Sequence, residues 1–450
     1  MLPFNLSGKL PRFVSLVVFL LSASAPQLNA AAPCELARLV PSDTNVGEEF
    51  GVSVSLSGDV LVVGDSADDQ RATDAGAAYV FRRTPQGWRQ EAKLVPADAA
   101  AGDGFGGSVS ISAERIIVGS CGNDEAAQDA GAAYVFRFNG ASWPVEAKIK
   151  ATDATAQALF GCTVAISGDR VAVGAFNIGA AYVFRRTGTT WTQEGKLTGS
   201  DVVPGMAFAQ AVAISGDAVL VGVLGGAVNG AAYVFRLTGV SWAQETKLTA
   251  SDGVPEDFFG WSAALSGDLA TVGAPFFTLP PPPRMSAVTN EPGAAYVFRR
   301  SGGVWGQEAK LTANDIEENA RIGIGVALQD DLAVIGADHG CCITPGAAYL
   351  FRRVSGAWQQ NAILTPSDST PVDLFGSAVA VDGNYIAVGA YGDESDCIGE
   401  PDCPTLRAYV FSAPCVLGIP ALSPLGTVTL AFVLFVAGVA VLRRSATKRK

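Results

Sequence analysis

The sequence predicts an all-β chain folded as a seven-bladed β-propeller of four-stranded antiparallel blades. The first observation is a hexapeptide. "GAAYVF" stands at 76–81, 131–136, 179–184, 230–235 and 293–298, with Leu for Val at 346–351, and a worn copy, "RAYVF", stands at 407–411. The second is the longer unit around it, shown by 159–198, "LFGCTVAISGDRVAVGAFNIGAAYVFRRTGTTWTQEGKLT". Its leading aromatic recurs as Phe50, Phe105, Phe160, Phe208, Phe259 and Phe375, with Ile322 at the sixth place, at spacings of 48 to 63 residues. The third is that each unit holds four short runs rich in Val, Ile, Ala and aromatics, bounded by Gly, Ser and Asp. Four antiparallel strands repeated at this period are the pattern of propeller blades.

Each run has a place in a blade. In the quoted unit the runs are "CTVAIS", "RVAVGA", "AAYVF" and "WTQEGKL". "SGD" makes the first turn, because Gly tolerates positive φ and Asp can bond nearby backbone. "RRTGTT" makes the third. A strand sandwiched between neighbouring blades is buried on both faces, so alternation gives way to a continuous apolar run such as "AAYVF". Gly and Ala suit the place where blades converge; Tyr and Phe fill the space where they splay. The last unit lacks the strand that starts at Trp88, Trp143, Trp191, Trp242, Trp305 and Trp358 in the others. "LARLVPSD" at 36–43 matches "EAKLVPAD" at 91–98, so the N-terminal strand is expected to complete the seventh blade and close the ring.

Both ends of the 450-residue chain differ from the repeats. Lys9 and Arg12 precede the apolar run Phe13–Leu21, and Ala30-Ala31-Ala32 follows as a cleavage zone, the layout of a secretory signal peptide over 1–32. The propeller is expected over 33–415. Residues 416–450 contain Leu425–Leu442, 18 residues without a charge, then Arg443, Arg444, Lys448, Arg449 and Lys450. That is near the minimum for one transmembrane helix, with a basic tail on the cytoplasmic side. The segment reads either as a plain single-pass anchor or as a sorting signal.

Residues 1–30 and 416–450 hold seven of the 31 basic residues and no acid, leaving 24 basic against 43 acidic residues, a net −19, in the exported part. Such a domain repels nucleic acid and anionic membranes and suits cations or cationic surfaces. Eight cysteines in an exported chain favour disulfides. Cys34 and Cys415 flank the seam of the ring and are expected to bond. Cys397 and Cys403 would staple the blade seven loop, and Cys121 and Cys162 fall in neighbouring blades where they can pair. The adjacent Cys341 and Cys342 leave their pairing open. With no Cys-x-x-Cys and His339 as the one histidine, a zinc site has no ligands.

The pattern "FG.SVAISGD..VVGA…GAAYVF" closely resembles the FG-GAP repeat of integrin α-subunit propellers, in its bacterial form, over 34–415. The resemblance implies the propeller fold and leaves function open. Integrin-type copies often carry a calcium loop, D-x-D-x-D-G, before the "VVGA" strand. Here that place holds Ser57-Gly58-Asp59, Ser167-Gly168-Asp169 and Ser215-Gly216-Asp217. One carboxylate on a tight turn cannot supply the six to eight oxygens calcium takes. The tail resembles the IPTL-type C-terminal sorting signal of Gram-negative bacteria through Ile419, Pro420, Ala421, Leu422 and Ser423. Ala421 stands where Thr is usual, and Pro424-Leu425 where an acidic-Trp pair is usual. That resemblance implies a membrane-embedded envelope sorting protease as a partner and delivery to the cell surface.

Blade geometry puts first and third turns on one face of the disc, and second turns with the blade-to-blade links on the other. The first face gathers Arg82, Arg83, Arg185, Arg186, Arg299, Arg300, Arg352 and Arg353 with the Asp of each "SGD" turn, a rim of paired charges. The link face gathers Asp43, Asp98, Asp153, Asp201, Asp252, Asp315 and Asp368. These read either as a cation-binding ring or as Asx-type turns stabilising each link. The second turns vary most, and variable loops on a rigid scaffold are where binding is placed. Blade five carries an insert with Phe276, Phe277, Leu279, Pro280 and Arg284, in which Pro280–Pro283 forms a stiff polyproline stretch. With the blade one and seven loops it is a candidate contact surface, against the alternative of tolerated insertion. No cofactor is expected beyond calcium, for which Asp65, Asp68 and Asp69, or Asp393, Glu394 and Asp396, are the candidate ligands.

Catalysis lacks a candidate constellation. A propeller glycosidase needs a carboxylate pair near the axis, and no pair stands out in a shared apolar setting. The sialidase S-x-D-x-G-x-x-W box is absent, and His339 has no G-x-S-x-G partner. The sequence therefore points to a non-catalytic propeller at a bacterial envelope. It would bind a protein or polysaccharide in adhesion or matrix organisation. A passive structural surface protein and a carbohydrate-active enzyme are the alternatives.

Overall fold

The computed structural model describes residues 34–413 apart from 44–47, 203–205, 225–228, 276–291, 316–319, 340–344, 369–372 and 393–405. Seven four-stranded antiparallel sheets make up the described chain. Six are consecutive in sequence. Blade three is typical, with strands Phe160–Ser167, Arg170–Ala175, Ala180–Thr187 and Thr190–Leu197 in spatial order. The seventh joins the two ends of the chain. Val379–Asp382, Tyr385–Ala390 and Arg407–Ser412 are followed at the outer edge by Glu35–Leu39. That N-terminal strand runs antiparallel to Arg407–Ser412, with Leu39 opposite Ala408. The ring closes as the repeat phase predicts.

The recurring "AAYVF" is the third strand of each blade, and its five residues are buried in blades one to six. The lead aromatic stands edge-on to it. Phe50 lies 5.3 Å from Tyr79 and 6.1 Å from Phe81 between ring centroids, and Phe105, Phe160, Phe259 and Phe375 repeat the arrangement. Full burial of one such ring stabilises by roughly 1.5–3 kcal/mol. Ile322 takes the same fully buried place in blade six. The apolar clusters each draw on adjacent sheets: Leu39, Ala387 and Val410 of blade seven pack with Phe50, Leu61 and Tyr79 of blade one. The core is thus a set of seams between blades.

Glycine sets how closely those seams approach. Gly119, near the end of a second strand, faces the backbone carbonyl of Gly161 in the next blade, and a methyl group there would fall well inside contact distance. Gly161 follows the lead aromatic at φ +97°, a left-handed conformation that a side chain would strain. The glycine of "GAAYVF" does similar work: Gly131, at φ +82°, bridges to Phe160 of the next blade.

Candidate functional site

Most of the recurring polar residues are taken up by partners in their own blade or the adjoining one. The link aspartates come first. Asp43 accepts a hydrogen bond from Tyr79 Oη (3.0 Å) and an ion pair from Lys93 Nζ (2.7 Å), both in the blade that follows the link. Asp98 does the same with Tyr134 and Lys148, Asp153 with Tyr182 and Lys196, and Asp201 with Tyr233 and Lys247. Asp252 takes Lys310 at 2.7 Å and Tyr296. In blade seven Asp368 meets Tyr409, Arg407 and Arg38. Neither sequence reading describes this fully. The carboxylates already hold a protein cation and a tyrosine hydroxyl. The lysine ammonium is the first cause that holds Asp153, Asp201 and Asp252 below the usual carboxylate range. Burial raises the Tyr134 hydroxyl to about 12.

A second contact uses the outer strand. Glu91, Glu146, Glu194, Glu245 and Glu308 each accept the indole N–H of the next blade's tryptophan, at 2.9 to 3.4 Å. Arginines complete the site, as Arg236 and Arg300 do around Glu245. The residue before this glutamate works too. The side-chain oxygens of Gln90, Gln193, Gln244, Gln307, Gln360 and Glu35 each accept the backbone N–H one residue before a link aspartate. Sequence reasoning passed over both residues, although "QE" recurs after the tryptophan.

A third contact runs around the inner strands. Ser57 accepts the Ala113 N–H of the next blade, Ser112 that of Gly168, Ser167 that of Gly216, Ser215 that of Gly267 and Ser266 that of Asp330. Gln329 and Asp382 take the serine's place toward Gly383 and Gly58, which completes the circle. The turn aspartates pair with arginine: Asp59 with Arg83, Asp169 with Arg186, Asp217 with Arg236 and Asp268 with Arg300. These turn carboxylates thus each face a guanidinium, at the place where integrin-type copies carry a calcium loop.

The glutamate–tryptophan contact fails on both sides of blade seven. Leu36 occupies the glutamate position and is half exposed, and the buried Trp88 N–H of blade one has no hydrogen-bond partner. On the other side Asn361 replaces the glutamate, and its Oδ1 is likewise unpartnered. Trp88 instead stands edge-on to Tyr385 at 5.8 Å, and Arg83 lies over the same ring. Leu36→Glu restores an acceptor for Trp88 within reach of Arg83. We expect it to stabilise the protein by roughly 1 kcal/mol, the net contribution of one typical hydrogen bond, seen as a higher urea midpoint. An unchanged midpoint would mean that the Trp88 N–H is satisfied by solvent.

The axis holds a cavity of about 310 Å³ lined by the inner strands of all seven blades, with Val, Ile, Leu, Ala and Ser side chains. No titratable group is among its described lining residues. The sequence-predicted binding residues distribute as follows. Asp65 and Asp68 are buried, whereas Asp69 is exposed and its Oδ1 accepts the Asp74 N–H at 2.7 Å. The residue that joins Asp65 and Asp68 is Glu48, 17 positions before Asp65, at the entry to blade one. Phe276, Phe277, Leu279, Pro280 and Arg284 lie outside the described residues, as do Asp393, Glu394, Asp396, Cys397 and Cys403. Cys121 and Cys162 form a disulfide between blades two and three, with Cα atoms 4.7 Å apart. Cys34 is disulfide-bonded, and its expected partner Cys415 lies outside the described residues. The signal segment 1–32, Ile419–Ser423 and 425–442 also lie outside them. No helix among the described residues is long and apolar enough to cross a membrane.

Two solved structures share the architecture. The chain is similar to U3-55K at 10% identity and a TM-score of 0.51, covering 85% of this chain and 99% of that one. The WD40 repeats of RRP9 give 10% identity and a TM-score of 0.52 over the same shares. At that identity the likeness shows the fold alone. No curated protein matches. A family model described as FG-GAP repeat matches 34–81, 88–136, 143–184, 191–235, 242–298, 305–351 and 358–411. Each match runs from an outer strand to the third strand of the next blade, the phase in which Glu35–Leu39 opens the first copy. Seven matches across most of the chain place it in the FG-GAP repeat family.

Proposed function

We propose that this chain is an exported, non-catalytic propeller displayed at a bacterial envelope, where its link face binds a protein or polysaccharide in adhesion or matrix organisation. FG-GAP propellers commonly serve as protein-binding domains and are typically non-enzymatic. One observation carries the reading. Most of the polar residues that recur are taken up by partners in their own blade or the adjoining one, so a ligand has to be met by what differs from blade to blade. Those differences concentrate in the second turns. Blades one and two present long polar loops with exposed Gln70, Arg71, Asp124 and Glu125, and blade three turns at once through Phe176–Ile178. The signal-like segment 1–32 and the sorting-like tail 416–450 support export and an envelope protease as a transient partner. The net charge of −19 in the exported part disfavours nucleic acid.

The test is saturable binding of the purified full chain to envelope fractions and extracellular polysaccharide of the producing cells. Replacing the exposed Gln70 and Arg71 together by Ala and deleting 277–291 should each weaken binding while leaving the urea midpoint near wild type. Binding unchanged in both variants would overturn the link-face assignment. An absence of saturable binding by the wild-type chain would favour a passive surface scaffold.

A further inference from the structure

Pseudo-equivalent positions in blades one and two carry opposite chemistry. In blade two, Asp103, Ser120 and Asn123 are buried together. Asn123 Nδ2 donates to Asp103 Oδ2 and Ser120 Oγ to the Asp103 carbonyl, both at 3.3 Å. One acid meets two donors. In blade one the same positions hold Glu48, Asp65 and Asp68, all buried. Both donors have become acids. One oxygen from each lies within 4.8 Å of the other two, a span that a calcium ion 2.3–2.6 Å from each oxygen bridges. The residue after the second-strand glycine is Ala175, Val223, Ala274, Ala337 and Ala390 in blades three to seven, so a carboxylate there is peculiar to blade one.

Asp68 is compensated by several partners and Asp65 only in part. Lys93 Nζ lies 2.6 Å from Asp68 Oδ2 and is shared with Asp43. Tyr79 Oη and the Gln70 N–H also bond Asp68. Asp65 Oδ1 accepts the Glu49 N–H at 2.8 Å, but its Oδ2 is buried without any hydrogen-bond partner. A buried, unpaired carboxylate oxygen beside two further carboxylates is costly unless a cation meets it. Burial, opposed by the Glu49 N–H and reinforced by the charges of Glu48 and Asp68, pushes the Asp65 carboxyl up to about 8.

We infer that Glu48, Asp65 and Asp68 form a site for a hard divalent cation of the calcium class in blade one. All three donors are oxygens, which such ions take, and water completes the shell. The site lies on the link face, opposite the first turns where the family resemblance would put calcium. It does not depend on the identity of any macromolecular ligand.

The experiment uses the full chain stripped with chelator, then titrated with calcium or with magnesium by calorimetry and thermal unfolding. The wild type should take up calcium and unfold at a higher temperature in calcium than in chelator, with a smaller response to magnesium. Asp65→Asn and Glu48→Gln should each lose the calcium response. Asp65→Asn should be at least as stable as wild type in chelator, because it removes the buried acid and keeps the shape, so loss of response is not loss of fold. A wild type with no heat and no calcium-dependent shift would overturn the assignment and leave Asp65 as a buried neutral acid. A response retained in both variants would overturn it as well, by placing the ion elsewhere.

Discussion

A chain without Glu35–Leu39 is expected to lose the cooperative unfolding of the intact ring. The strand does four things in five residues. It pairs with Arg407–Ser412, buries Leu39 in the seam between blades seven and one, pairs Arg38 with Asp368, and bonds the Ser367 N–H through Glu35. Without it, blade seven has three strands and blade one loses part of a neighbour. Leu39→Ala isolates the burial and should cost about 2–5 kcal/mol, the range for a leucine truncated in a core. Leu36→Ala, at an exposed position of the same strand, should cost little. Urea unfolding followed by tryptophan fluorescence separates these outcomes. A strand-deleted chain that kept one transition at the wild-type midpoint would show that six blades hold the ring without closure.

The second large effect is expected at Gly119. Its added methyl in Gly119→Ala meets the Gly161 carbonyl of the next blade, and backbone cannot move aside as a flexible side chain can. We expect a loss of about 3 kcal/mol, the upper end of overpacking penalties. Gly168→Ala is the control. Gly168 has φ +59° with nothing within 4 Å of the added carbon, so only backbone strain of about 1 kcal/mol applies. Equal losses at the two sites in urea titrations would mean that blade spacing yields to a methyl group. Blade four shows which partner is replaceable. Ala209 stands at φ +68° where other blades have the glycine after the lead residue, while the second-strand glycine is present in all seven.

The sequence made the strands and the ring legible, because each strand's pattern recurs and the missing outer strand of the last unit reappears at 36–43. It made the Cys121–Cys162 bond legible for the same reason, since phase places both residues on one seam. The roles of polar residues were harder to read. Asp153 and Lys196 are 43 positions apart and meet only because one blade's link lies over the next blade's outer strand. The lone link aspartate therefore looked like a turn residue or a cation ligand. Proximity in sequence also misled at Asp68 and Asp69. Adjacent residues in a loop point apart, so Asp69 faces solvent, and the third acid comes from Glu48 across the blade entrance.

The contacts between blades have a direction. The acceptors of Ser57, Gln329 and Asp382 each serve the blade that follows, and so do those of Glu91 and Asp98. Donors also point forward, as Ser53 to the Gly106 carbonyl and Gln329 to Asp382, so every seam joins two different faces head to tail. A heterologous interface of this kind ends in a closed ring only when the rotation per subunit divides the circle, and otherwise continues from molecule to molecule. Here the covalent chain counts the subunits and the N-terminal strand ends the series. A chain truncated between blades carries one unmatched face of each type, so its copies are set to join end to end.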